Sequence, residues 1–236
     1  MMGIPNALRV GRRALRSLVG RDLFYRREVT IQRLSLGRPG AEWCVCPIGL
    51  GPASIVYSFG VGEDVSFEME LIERFGTPVH AFEPTPRSLA WVRSQALPKA
   101  FTLHELGLAS WDGEASFTPP PNPLHVSYSM VRDDRDGSAI SAPVRRLSTI
   151  AAELGHARVH LLKMDIEGGE YTVLPDLLAS GLLVDQLLVE FHHRWDFIGV
   201  AETKRMIVLL RQAGYRIANV SPSGCEFTLL REATQE

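Results

Sequence analysis

Apolar positions change their spacing repeatedly along the chain. "SIVYSFG" (54–60) is a short β-rich run, and from Asp64 to Phe75 the residues Phe67, Leu71, Ile72 and Phe75 fall at helical spacing. "VHAF" (79–82) predicts a second strand, "TPRSLAWVRSQA" (85–96) a helix with proline in its first turn, and "FTLHELGL" (101–108) a third strand. The alternation lapses over 109–147, where "TPPPNP" excludes helix and central strand and "RDDRDGS" reads as a polar turn. It resumes with a strand over 159–166, a helix from about Gly169, the strand "QLLVEFH" (186–192) and a helix over about 200–213. "YRIANVS" and "CEFTLLR" then suit an antiparallel hairpin. Strand-helix alternation of this kind predicts an α/β fold, a mainly parallel sheet with helices on both faces.

The first 40 residues stand apart as a basic helical segment, leaving 41–236 as one domain with 109–147 as an insertion of loops and short strands. Arg9, Arg12, Arg13, Arg16 and Arg21 all precede the first acid, Asp22. On a helix Leu8, Leu15, Val19 and Leu23 come close together, away from most of the arginines. Such a pattern fits a membrane-surface helix in peripheral contact, a transit peptide, or a helix packed on the domain, and the packed helix is the plainest expectation.

Composition narrows the class without naming a function. With 236 residues, 45% hydrophobic and 22% charged, the chain suits one large globular domain. A net charge of -2 gives no overall preference for nucleic acid. No run approaches the roughly 20 apolar residues that span a bilayer. Cys44, Cys46 and Cys225 make neither a disulfide framework nor a zinc pattern, which favours a reducing, cytoplasmic setting. Oligomeric state leaves no mark that can be read.

Parallel sheets bind ligands beyond the carboxyl ends of their strands, so the residues just after each strand matter most. After the first strand, Gly60 and Gly62 let backbone approach a ligand, with Asp64 beside them at a helix N-terminus. Val65 stands where a dinucleotide fingerprint would have its third glycine, which weakens an NAD reading. Glu83, after the second strand, is placed either to accept both hydroxyls of a ribose or to cap the helix that follows Pro84. Asp165 and Glu167 follow the 159–166 strand, and Glu190 and His192 end the next one on a single side. Asp165 has a plainer alternative as the partner of Lys163, and Glu170 as a first-turn helix acid.

At these positions the chain resembles the FkbM-like family of S-adenosylmethionine-dependent methyltransferases. The matching stretches are "VYSFGVGEDVSFE" (56–68), "VHAFEPTPRS" (79–88), "KMDIEGGEY" (163–171) and "LLVEFH" (187–192), with "WCVCP" (43–47) as a lead-in. The resemblance implies a Rossmann-like class I methyltransferase fold of seven strands and O-methylation of a sugar or other metabolite hydroxyl. It also implies that Ser58, Phe59, Gly60, Gly62, Asp64, Glu83, Pro84, Leu108 and Asp165 surround the cofactor. Within that set Gly60 and Gly62 would face the methionine part, Glu83 the ribose, Leu108 the adenine, and Asp165 the floor of the transfer site. Ser58 departs from the usual Asp-x-Gly-x-Asn-x-Gly motif, since it lacks the charge of the aspartate.

Methyl transfer to an alcohol needs in-line alignment at about 3–3.5 Å and a base for the hydroxyl proton. His192 is the neutral candidate, with Asp165 or Glu190 acting directly or orienting it. The same Asp165, Glu167, Glu190 and His192 also make an oxygen-rich set for Mg²⁺. Two other readings stand beside the enzyme: a non-catalytic module that binds an adenosine cofactor, and an NAD-dependent oxidoreductase.

Overall fold

The computed structural model describes residues 6–122, 126–131 and 138–232, and the polar turn expected at "RDDRDGS" lies almost wholly outside them. Helix α1 (Asn6–Leu18) leads into a small antiparallel pair, β1 (Leu34–Leu36) and β2 (Trp43–Val45). There follow β3 (Val56–Phe59), α2 (Ser66–Phe75), β4 (Val79–Phe82), α3 (Pro86–Arg93) and β5 (Phe101–His104). The insertion carries β6 (Gly107–Leu108), β7 (Gly113–Phe117) and β8 (Ile140–Arg145). The second half runs α4 (Leu147–Glu153), β9 (Arg158–Met164), α5 (Glu170–Ser180), β10 (Leu183–Glu190), α6 (Gly199–Gln212), β11 (Tyr215–Val220) and β12 (Glu226–Arg231).

Seven strands form the main sheet in the order β11-β12-β10-β9-β3-β4-β5. β5, β4, β3, β9 and β10 are mutually parallel, while β12 runs antiparallel to both of its neighbours. This is the class I methyltransferase arrangement, with the C-terminal hairpin that the last two apolar runs suggest.

The central strands are buried on both faces, so their sequences are nearly continuous apolar runs. Side chains alternate between two cores. Tyr57, Leu162 and Leu187 pack with α5 and α6 on one face, and Val56, Leu161 and Leu188 pack with Trp43, Phe67 and Leu71 on the other. Each such leucine, fully buried, contributes roughly 1.5–3 kcal/mol of transfer free energy.

Three local expectations need correction. "FTLHELGL" is two strands, because the chain leaves the main sheet after His104 and Gly107–Leu108 joins the insertion's own sheet, β6-β8-β7. α4 lies where the spacing pattern names no element, although Leu147, Ile150 and Ala151 stand at helical positions and are buried. The stripe on α1 does not pack as expected, since Leu8, Leu15 and Val19 are exposed and only Leu23 is buried.

Candidate active site

The carboxyl ends of β3, β4 and β9 open on a cleft of about 560 Å³, within the usual size range for small-molecule sites. Its walls include Phe59, Gly60, Gly62, Asp64, Glu83, Pro84, Leu108, Asp165 and Glu167. The insertion closes the far side with Phe117, Tyr128 and Met130, and Arg38 stands at the rim; no motif marks these four in the sequence.

Gly60 occupies a left-handed backbone conformation, φ 77°, where the turn after β3 meets the turn after β9. Asp165 N–H donates to the Phe59 carbonyl at 3.2 Å, so the two turns are joined by backbone as well as by contact. The ring of Phe59 is buried and stacked on Phe82, which leaves mainly its backbone to face the cleft.

Glu83 is only 4% exposed, and its carboxylate already accepts three hydrogen bonds. Gly62 N–H donates to Oε2 at 3.0 Å, while Thr85 N–H and its hydroxyl donate to Oε1 at 2.9 and 2.6 Å. Thr85 precedes α3, whose first residue is Pro86. Glu83 therefore braces the glycine turn and the start of α3 at once. Burial raises its pKa above the usual carboxylate range, against the opposing effect of these donors. Asp64 has local work too, accepting from Ser66 N–H at 3.0 Å and pairing with Arg38 at 2.7 Å.

Ser58 does not reach the cleft. It is fully buried and donates to Glu68 Oε1 at 2.5 Å. Lys163 completes this network, with its ammonium 3.9 Å from Glu68, 3.2 Å from the Gly60 carbonyl and 5.2 Å above the Trp43 ring. The alternative partner for Asp165 is thereby engaged elsewhere, and among the described residues no Lys163–Asp165 ion pair is formed. Glu68 closes the same 56–68 stretch, in the first turn of α2, but nothing in its spacing marks it as the partner of Ser58.

Beneath the cleft lies a compact acidic group built around His192. Its Nε2 is 3.2 Å from Glu167 Oε2 and its Nδ1 is 3.3 Å from Glu170 Oε1. Glu170 is fully buried and also accepts the Ile166 N–H at 3.0 Å, so its role at the start of α5 is combined with one toward the histidine. Burial opposes charge on the ring, but the two carboxylates outweigh it and push the His192 pKa up to about 12. The two carboxylates favour the imidazolium over the neutral ring that its sequence position suggests, and His192 does not border the cleft.

Asp165 does border the cleft, and its Oδ1 is buried without a hydrogen-bond partner. Burial raises its pKa to about 6, with Lys163 pulling down and Glu167 pushing up. Glu190 ends β10 opposite Glu226, set back from the cleft, and burial together with Asp165 raises its pKa to about 9.

Glu167 is the one described non-glycine residue with positive φ, at 51°. The insertion holds this turn: Ser129 donates its hydroxyl to the Glu167 carbonyl at 2.6 Å. A Cβ on Gly168, at φ 94°, would lie 2.5 Å from Val131.

Ligand atoms of Asp165, Glu167 and His192 lie within 4.8 Å of one another, and Glu190 falls outside that group. Mg²⁺ prefers oxygen ligands in near-octahedral array, whereas this group offers two carboxylates and a ring nitrogen. The arrangement as it stands does not fit Mg²⁺.

His193, on the far side of the same turn, is buried and bonded through Nε2 to Asp22 Oδ1 at 2.9 Å. Asp22 also accepts from Arg194 at 3.0 Å. The segment after α1 therefore buttresses the loop that carries His192.

"Probable methyltransferase-like protein 24" of Rattus norvegicus is 29% identical over 159 residues, 65% of this chain and 37% of that protein. The chain thus spans little more than a third of that relative's length. "31-O-demethyl-FK506 methyltransferase FkbM" of Streptomyces tacrolimicus is 26% identical over 229 residues, covering 84% of this chain and 83% of that one. Among solved structures, the Methanococcus jannaschii fibrillarin pre-rRNA processing protein superposes with a TM-score of 0.47 at 10% identity, over 90% of this chain and 87% of that one. The model of the methyltransferase FkbM domain matches residues 55–217, from the strand before the glycine turn to the C-terminal hairpin, and the chain belongs to that family.

Proposed function

We propose that the protein is an S-adenosylmethionine-dependent methyltransferase acting on a hydroxyl of a small molecule, such as a sugar or a secondary metabolite. The observation that carries this reading is Asp165 Oδ1, a buried carboxylate oxygen with no partner at the floor of a cleft between a glycine turn and Glu83. An unpaired buried acceptor is costly unless a ligand satisfies it. A relative named for 31-O-demethyl-FK506 supports an oxygen acceptor. Family membership favours S-adenosylmethionine over NAD, in keeping with Val65 at the position of the missing third glycine.

When bound, S-adenosylmethionine supplies a methyl group on a sulfonium sulfur, open to in-line displacement. The backbone of Gly60 and Gly62 would border its methionine part, and Leu108 its adenine. Of about four lone-pair sites on a carboxylate, Glu83 has already committed three, so it has room for one ribose hydroxyl without rearrangement. Asp165 is the carboxylate at the cleft wall that would take the acceptor's proton, with a pKa of about 6 that keeps it ionised yet basic near neutrality. His192, clamped by Glu167 and Glu170, positions the acidic turn and does not act as the base. Glu190, with its pKa near 9, stays protonated and adds no charge beside Asp165. Phe117, Tyr128 and Met130 form the wall that would face the acceptor. Three free cysteines agree with a reducing, cytoplasmic setting.

The reading is tested by calorimetry with S-adenosylhomocysteine and NAD in parallel, followed by radiolabelled methyl transfer to glycosides and small alcohols. Binding of S-adenosylhomocysteine with transfer supports it. Binding without transfer to any acceptor in a cell extract would leave a non-catalytic module, and preference for NAD would overturn the cofactor.

A further inference from the structure

Helix α1 is turned the unexpected way. Arg13 is 6% exposed and donates to the Ser221 carbonyl at 2.6 Å, and Val10, Ala14 and Ser17 are the partly covered positions beside it. The helix is thus held to the domain by its small and polar edge. Leu8, Leu15 and Leu18 are 57%, 68% and 83% exposed, and Val19 just beyond the helix is 69% exposed. At 100° per residue these side chains form one continuous apolar stripe. Arg9, Arg12 and Arg16 are exposed along its border, Arg16 also lying 3.6 Å from Asp22.

Charge is segregated as sharply as hydrophobicity. The first 21 residues hold five arginines and no acid, which leaves 20 basic against 27 acidic side chains in the rest of the chain. A protein partner would ordinarily meet such an apolar stripe with its own apolar surface and would not need a uniform cationic border. An anionic lipid surface takes both features at once, with leucines in the acyl boundary and arginines among the headgroups. Among the described residues no helix is long and apolar enough to cross a membrane, so contact of this kind is peripheral.

We propose that α1 docks the protein on an anionic lipid surface, with Leu8, Leu15, Leu18 and Val19 inserted and Arg9, Arg12 and Arg16 paired to headgroups. Arg13 is excluded from that contact, because it is the pin that fixes the helix to the β11–β12 turn.

The test is flotation of the full chain with phosphatidylcholine vesicles, with and without phosphatidylserine. Binding is expected with the anionic vesicles, should fall steeply as salt is raised, and should be weak on phosphatidylcholine alone. Each arginine reversed among Arg9, Arg12 and Arg16 should lower the partition coefficient about fivefold or more. Leu15→Glu with Leu18→Glu should lower it at least about tenfold. Both positions are exposed, so an unchanged melting temperature keeps the comparison valid. No binding to anionic vesicles, or binding indifferent to lipid charge, would overturn the proposal. So would a dimer in solution that Leu15→Glu and Leu18→Glu dissociate while vesicle binding is absent, since the stripe would then be a self-interface. None of these outcomes depends on methyl transfer.

Discussion

A methyl group built on Gly60 would lie 1.7 Å from the carbonyl oxygen of Asp165. Two turns that matter to the site thus touch through bare backbone, and the φ of 77° at Gly60 independently disfavours any side chain. Gly60→Ala should cost roughly 1–3 kcal/mol from strain and as much again from crowding. A melting curve should show the loss, and S-adenosylhomocysteine affinity should fall with it. Wild-type stability and affinity in the variant would mean that the two turns are not packed as described.

Glu83→Ala removes the acceptor for Gly62 N–H and Thr85 as well as the one site open to a ribose hydroxyl. One charge-assisted hydrogen bond of roughly 1.5–3 kcal/mol corresponds to a tenfold or greater loss of S-adenosylhomocysteine affinity. Glu83→Gln keeps the shape and one acceptor oxygen, so it should lose less stability than alanine. Unchanged calorimetric affinity in both folded variants would remove Glu83 from the cofactor site.

Asp165 carries the pH dependence. Its folded pKa of about 6 lies above the carboxylate's ordinary value, so the folded state holds the proton more tightly. The stability it contributes is full at pH below about 4 and is lost as pH rises through about 6. Asp165→Asn should therefore keep or raise the melting temperature at neutral pH while methyl transfer falls by roughly 10²–10⁴-fold. The acid limb of kcat/KM near pH 6 should be Asp165's and should vanish with it. A neutral His192 acting as base predicts instead that His192→Gln abolishes the limb and Asp165→Asn spares it.

His80, His104 and His156 make a separate cluster on the other end of the fold's aromatic core. His80 Nδ1 is 3.0 Å from His104 Nε2, and its ring meets that of His156 edge-on. Burial, then His104 and His156, lowers the His80 pKa to about 4. The unfolded chain binds the proton first, so stability should hold above about pH 6.5 and decline as pH falls toward about 4. His80→Phe should flatten the melting temperature over that window. A His80→Phe variant whose melting temperature follows the wild-type pH dependence over that window would contradict the cluster's neutral state.

Most of the fold could be read from the spacing of apolar residues, because β3, β9 and β10 are buried on both faces and leave runs such as "LLKM" with few alternatives. The strand ends pointed to Gly60, Glu83 and Asp165 for the same reason: an ionisable or glycine residue at the close of a buried run is conspicuous. What stayed hidden depended on which side chains the fold brings together. His192 looks neutral until Glu167 and Glu170 close on its ring, and Ser58 looks like a loss until Glu68 is found beside it. α1 misled because amphipathicity shows that a stripe exists without showing which side meets the protein.

The hydrogen bond from Arg13 to Ser221 spans 208 residues of a 236-residue chain. Contacts of that separation carry the largest loop-closure entropy, and they form only after more local structure has reduced it. Helix α1 leaves the ribosome well before the β11–β12 turn does, so its anchor there is made late. The clasp on Asp22 and His193 waits on the same strands. Throughout synthesis the arginines and leucines of α1 would therefore be on offer before the loop beside His192 is in place, and a lipid surface met at that stage would meet the helix ahead of the finished fold.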